Sequence, residues 1–182
     1  MRGILAGCAL VAIAIFAATG AQAQRHRRRE PRESERAPAV SVDKRDRIVA
    51  AAGPFDGRPY WLALAQCGGF YFKLNSLFTD AAVRARVIKP DPRANAEFTK
   101  KLNEAINIAT LYFDAAEDFL RTDRGLERDD AILTYDGQSR AAGDRIRTID
   151  AGLAAVKACP ALYRLCQTAY PKECSEPLMP LS

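Results

Sequence analysis

The sequence predicts an all-α protein: an antiparallel helix bundle of three long helices plus one or two short ones, stapled by two disulfides. Three observations carry this expectation. Long segments repeat apolar residues at alternating steps of three and four, one stripe of a helix. Strand-like alternation is nearly absent, since the aromatic run Phe70-Tyr71-Phe72 lies inside such a stripe. Four cysteines, Cys67, Cys159, Cys166 and Cys174, remain once an N-terminal leader is set aside.

The leader comes first. Residues 1–23 carry one charge, Arg2, then an apolar or small run from Ile4 to Ala18, then Ala21-Gln22-Ala23. This is the layout of a secretory signal cleaved after Ala23. The core is shorter than the roughly 20 apolar residues of a membrane span, so no transmembrane segment is expected in the mature chain. Leu5 to Cys8 has the residue pattern of a lipoprotein box, but there the apolar core would precede the cysteine, and here it follows. Cleavage removes Cys8 and leaves an even set, which in an oxidising compartment reads as a disulfide framework. Metal ligation is disfavoured because the spacings lack a short C-x-x-C knuckle.

Residues 24–47 hold nine Arg or Lys against five acidic residues, whereas from Ile48 onward the count is seventeen against seventeen. With Pro31, Pro38 and almost no large apolar side chain, residues 24–47 read as a disordered basic tail, able to make weak contact with an anionic surface. Residues 48–182 read as the helical domain.

Within that domain, Leu64, Cys67, Tyr71, Leu74 and Phe78 mark the first long helix, in which Gly68-Gly69 permits close helix contact or a kink. Pro90 and Pro92 break the chain. A second helix follows with Asp91 as its cap, Phe98, Leu102, Ala105, Ala109, Tyr112, Ala116 and Phe119 on one face, and Gly125 as its stop. The third, over about residues 127–157, carries Ile132, Tyr135, Ser139, Ala142, Ile146, Ile149, Leu153 and Val156, with Asp136-Gly137 as the place where a turn would split it. Pro160 suits the first turn of a last short helix, which Pro171 ends.

If that last segment is helical, Cys159 and Cys166 stand roughly 10.5 Å apart, too far for a disulfide, whose Cα atoms lie within about 7 Å. Two connectivities survive: Cys67 with Cys166 plus Cys159 with Cys174, or Cys67 with Cys159 plus Cys166 with Cys174. The first is preferred, on the reasoning that a chain leaving the helix at Pro171 turns back toward the helix start.

Chemistry is scarce. The only histidine is His26, in the tail, which removes histidine triads, histidine-ligated metals and histidine acid/base work from any packed site. Haem finds neither C-x-x-C-H nor an axial ligand in the helical core, and no phosphate-binding glycine loop appears; neither cofactor nor metal is expected. Ser41-Val42-Asp43-Lys44 matches S-x-x-K, but its companion elements are missing and Ser41 reads better as a helix cap.

Two surfaces remain. Tyr60, Trp61 and Phe72 belong to an aromatic-rich helix that is either buried on most sides or forms a candidate docking surface. Carboxylates flank the turn at Gly125 in Asp114, Glu117, Asp118 and in Glu127, Asp129, Asp130, so that a pair such as Glu117 and Asp130 would serve glycan hydrolysis. Their alternation with Arg121, Arg124 and Arg128 favours a salt-bridged hairpin.

The expected function is therefore a non-catalytic, exported (periplasmic or secreted) binding protein: an envelope adaptor, inhibitor or chaperone-like factor whose partner is another envelope protein and not a nucleic acid. The alternatives are a carboxylate-dependent hydrolase of envelope glycans and a structural envelope component held by its tail.

Overall fold

The computed structural model describes residues 40–88 and 91–177. The expected leader and the tail up to residue 39 lie outside them. After a 3-10 turn at Gly53–Phe55 come five helices: α1 (Tyr60–Ile88), α2 (Pro92–Arg124), α3 (Arg128–Gly143), α4 (Ile149–Val156) and α5 (Cys159–Ala169). No strand occurs among the described residues; an isolated bridge joins Ile48 to Pro59. The fold is an all-α bundle closed by two disulfides.

The ring pairs fix the helix directions. Tyr60 stacks on Phe119, and Tyr71 on Tyr112, so α2 descends along α1. Phe113 stacks on Tyr135, so α3 rises again beside α2. Gly152 faces Leu74 and Cys159 bonds Cys67, which brings α4 and α5 back down α1. Around this axis Leu64, Cys67, Leu74, Ala109, Tyr112, Phe119 and Leu162 lose all solvent contact, each large side chain contributing roughly 1.5–3 kcal/mol.

Both ends of α2 form as their residues dictate. The Asp91 carboxylate accepts a hydrogen bond from the Arg93 backbone N–H at 2.9 Å, while Pro92 occupies a position whose N–H has no helical partner. At the far end Gly125 adopts φ 66° and donates to the Arg121 carbonyl.

Three expectations are corrected. The third long helix does divide, but not at Asp136-Gly137. Helix α3 passes through that dipeptide, where Asp136 and Arg140 form an i, i+4 ion pair at 2.7 Å, and the chain breaks between Gly143 and Thr148. The reason is tertiary: Ile146 turns inward to 4% exposure, and the Thr148 hydroxyl accepts from Ala151 N–H to start a new helix.

The disulfides are Cys67–Cys159 and Cys166–Cys174, with Cα separations of 5.7 and 5.9 Å, not the preferred pairing. Helix α5 presents its first residue to α1. Beyond it, the Cys174 N–H donates to the Tyr170 carbonyl, a tight turn that returns Cys174 only to the last turn of α5, about 10 Å short of Cys159.

Asp46 and Arg47, expected within the tail, are instead fixed against the bundle. Asp46 is 7% exposed and bonds Arg124 at 2.6 Å; Arg47 bonds Asp123 at 2.7 Å and Glu173 at 2.8 Å. Asp46 and Arg47, which read as solvated in a polar run, each find an opposite charge more than 70 residues away in the sequence. Ser41 caps no helix; its carbonyl accepts from Arg124.

Candidate functional site

Helix α1 has no residue to spare on most of its first half. Tyr60 and Trp61, offered above as docking residues, are 3% and 2% exposed, covered by the segment 40–59 and by Tyr170 and Arg124. They belong to the core, which removes them from the candidate surface. Phe72 is the exception, at 55% exposure. It lies one residue past Tyr71 and so points off the buried stripe of Cys67, Tyr71 and Leu74.

Phe72 stands at a groove of about 320 Å³ between α1 and α3, also lined by Gly69, Lys73, Phe113, Asp136, Ser139 and Arg140. The groove exists because the helices nearly touch beneath it. A Cβ on Gly69 would overlap the Ser139 carbonyl, and one on Gly143 would come within 3.0 Å of the Gly69 carbonyl oxygen. The Phe113 ring, stacked on Tyr135 at 5.4 Å, supplies an apolar wall. On the rim, Arg140 is held by Asp136, whereas Lys73 has no ion-pair partner among the described residues. Two aromatic faces beside a lysine suit recognition of a side chain or short segment.

The carboxylates fall elsewhere. Glu117 is 8% exposed and lies 3.6 Å from Arg121 and 3.4 Å from Arg128, in a depression with Asp114 and Asp118. Asp130 opens onto a different cleft, beside Trp61, Leu126 and Leu133. Glu117 and Asp130 thus line different recesses. Burial, with the Glu117 charge second, raises the carboxyls of Asp114 and Asp118 above the ordinary aspartate range.

Among the described residues no group of three or more His, Cys, Asp or Glu side chains is arranged to hold a metal ion. In the core, Tyr112 makes a T-shaped contact with Tyr163 at 5.2 Å, and its hydroxyl has no hydrogen-bond partner among the described residues. Burial pushes the neighbouring Tyr71 up to about 12 and Tyr112 further still. These phenols stay neutral and structural. No helix among the described residues is long and apolar enough to cross a membrane.

Fold and groove thus define a disulfide-stapled helical bundle with an aromatic recess. Comparison with family models, curated proteins and solved structures finds no match to this chain.

Proposed function

We propose that this chain is an exported, non-catalytic binding protein, acting as an envelope adaptor, inhibitor or chaperone-like factor, and that Phe72 and its groove take up a segment of a protein partner. One observation carries the reading: Phe72 is an exposed aromatic beside a recess walled by a second aromatic ring, Phe113. Buried aromatic anchors supply much of the affinity of protein interfaces. Two disulfides are compatible with an oxidising compartment.

The test compares the native chain with Phe72→Ala in affinity capture from the exported fraction of the host. An exposed side chain changes stability by no more than about 0.5 kcal/mol, so Phe72→Ala should fold as the native protein does and lose its partner. Equal capture by both would remove the groove from the reading.

A second reading, a hydrolase of envelope glycans, draws on the raised carboxyls of Asp114 and Asp118 beside Glu117. Release of soluble sugar from purified cell-wall material, abolished in Glu117→Gln, would establish it. Retention at an envelope surface through the basic tail is the third reading; it predicts release by salt.

A further inference from the structure

Helix α1 outruns the helices packed on it. Helix α3 ends at Gly143, against Gly69 and Lys73, and α4 meets α1 where Gly152 faces Leu74. Around and beyond these contacts the outer face of α1 carries Phe72, Ser76, Thr79 and Val83, all exposed, with Val83 at 54%. At about 100° per residue the four fall within about 60° of arc, and none is charged. The Thr79 hydroxyl is turned back onto the helix, donating to the Asn75 carbonyl at 2.9 Å. The result is an apolar face about three turns long.

This face is symmetric about its own midpoint, between Leu77 and Phe78. Phe72 and Val83 are equidistant from that point, and so are Ser76 and Thr79. A two-fold interface sets residue i against residue j and j against i. A second α1 laid antiparallel across the midpoint therefore sets Phe72 against the copy's Val83 and Ser76 against its Thr79. The charges agree with that register. Lys73 and Asp80 have no ion-pair partner among the described residues. They lie on one flank of α1, about 10.5 Å apart along the axis and too far to bond each other. Across the two-fold axis each Lys73 comes within about 3 Å, along the helix, of the other copy's Asp80, giving two reciprocal pairs. Arg84 lies about 40° further round the helix, away from the contact.

We propose that α1 of this protein pairs with α1 of a second copy in this antiparallel register. A contact of three turns falls at the small end of protein interfaces, below about 1,200 Å², where association is transient. The dimer therefore forms and parts readily. Phe72 and Ser76 belong both to this face and to the groove, so pairing closes the groove to a partner segment. That consequence rests on the binding reading above; the pairing itself does not.

The test is sedimentation equilibrium of the chain purified from an exporting host, from about 1 μM to about 1 mM. The native chain should pass from monomer to dimer over that range. Val83→Arg, which places a charge against Phe72 without touching the groove lining, should raise the dissociation constant at least about tenfold. Lys73→Glu and Asp80→Lys should each weaken the dimer about threefold, as exposed pairs do. The double variant rebuilds both pairs with their signs exchanged and should return to within about twofold of the native chain. All three positions face solvent, where substitutions seldom disturb the fold. A chain that stays monomeric to about 1 mM overturns the proposal. So does a dimer indifferent to Val83→Arg, or a double variant no tighter than the single ones. Capture from the exported fraction separates this pairing from the groove reading: Val83→Arg, unable to close the groove, should capture at least as much partner as the native chain. A native chain that dimerises while neither it nor Val83→Arg captures a partner upholds the pairing and removes the groove reading.

Discussion

The Arg47 guanidinium lies over the rings of both Phe119 and Tyr170, 4.3 and 4.7 Å from their centroids, while its nitrogens bond Asp123 and Glu173. One side chain thereby joins the N-terminal segment, α2 and the turn after α5. Arg47→Ala leaves Asp123, with 7% side-chain exposure, without its counter-charge, and should destabilise by about 2–4 kcal/mol, somewhat below the range for a fully buried pair because Arg47 is a quarter exposed. Arg47→Lys should recover only part, since an ammonium lacks the planar fork that stacks and bonds at once. Urea unfolding of the three proteins checks the order.

Acid should act in two stages. The carboxyls of Asp114 and Asp118 are raised above 3.8 in the folded state, by burial first and by Glu117 second. Such groups weaken the fold when ionised, so stability should rise as pH falls from neutral through their raised folded values. Asp46 behaves oppositely. Burial would raise it, but the hydrogen bonds from Arg124 and the Asp43 backbone and the Arg124 charge outweigh that and hold it below 3.8. Its contribution is complete above its unfolded value and is lost as pH falls through the folded one. A melting temperature that climbs as pH falls toward the ordinary aspartate range and drops below it is expected; Asp46→Asn should flatten the drop.

Gly69→Ala should cost about 3 kcal/mol or more, because its Cβ meets the Ser139 backbone carbonyl, which cannot rotate away. The same change separates α1 from α3 and reshapes the groove under Phe72. Thermal unfolding, with a parallel capture assay, reads both effects.

Tyr112→Phe should be neutral or stabilising by up to about 1 kcal/mol, since the hydroxyl removed is buried without a partner. Denaturant midpoints decide it, and a loss well above that would reveal a bond to this hydroxyl.

The two disulfides should differ in weight. On the loop-entropy relation, Cys67–Cys159, spanning 92 residues, contributes about 5 kcal/mol and Cys166–Cys174, spanning 8, about 2.5 kcal/mol. Paired Cys→Ala variants test the ratio, and peptide mapping without reduction tests the connectivity.

Much of this architecture is written locally. Asp91, Pro92 and Gly125 act through their own backbone, so both ends of α2 are legible, and the stripe of Cys67, Tyr71 and Leu74 already sets Phe72 outside the core. What escapes a linear reading depends on partners distant in sequence. Asp136-Gly137 carries a turn signal that a helix overrides once Ser139 is seated against Gly69. The cysteine pairing turns on which end of α5 meets α1, which periodicity does not encode. Tyr60 and Trp61 look available on a helix end, and only Arg47 and Arg124, arriving with Asp46 and Tyr170, cover them.

The sulfur bond from Cys67 to Cys159 has a topological consequence. It makes the polypeptide between those residues a closed loop containing most of α1, all of α2, α3 and α4, and the connections among them. A protease that cuts once anywhere within that loop therefore separates nothing: the two pieces stay tethered, free to re-dock as a near-unimolecular event. Such tolerance of a nick would lengthen the working life of the molecule without any gain in equilibrium stability.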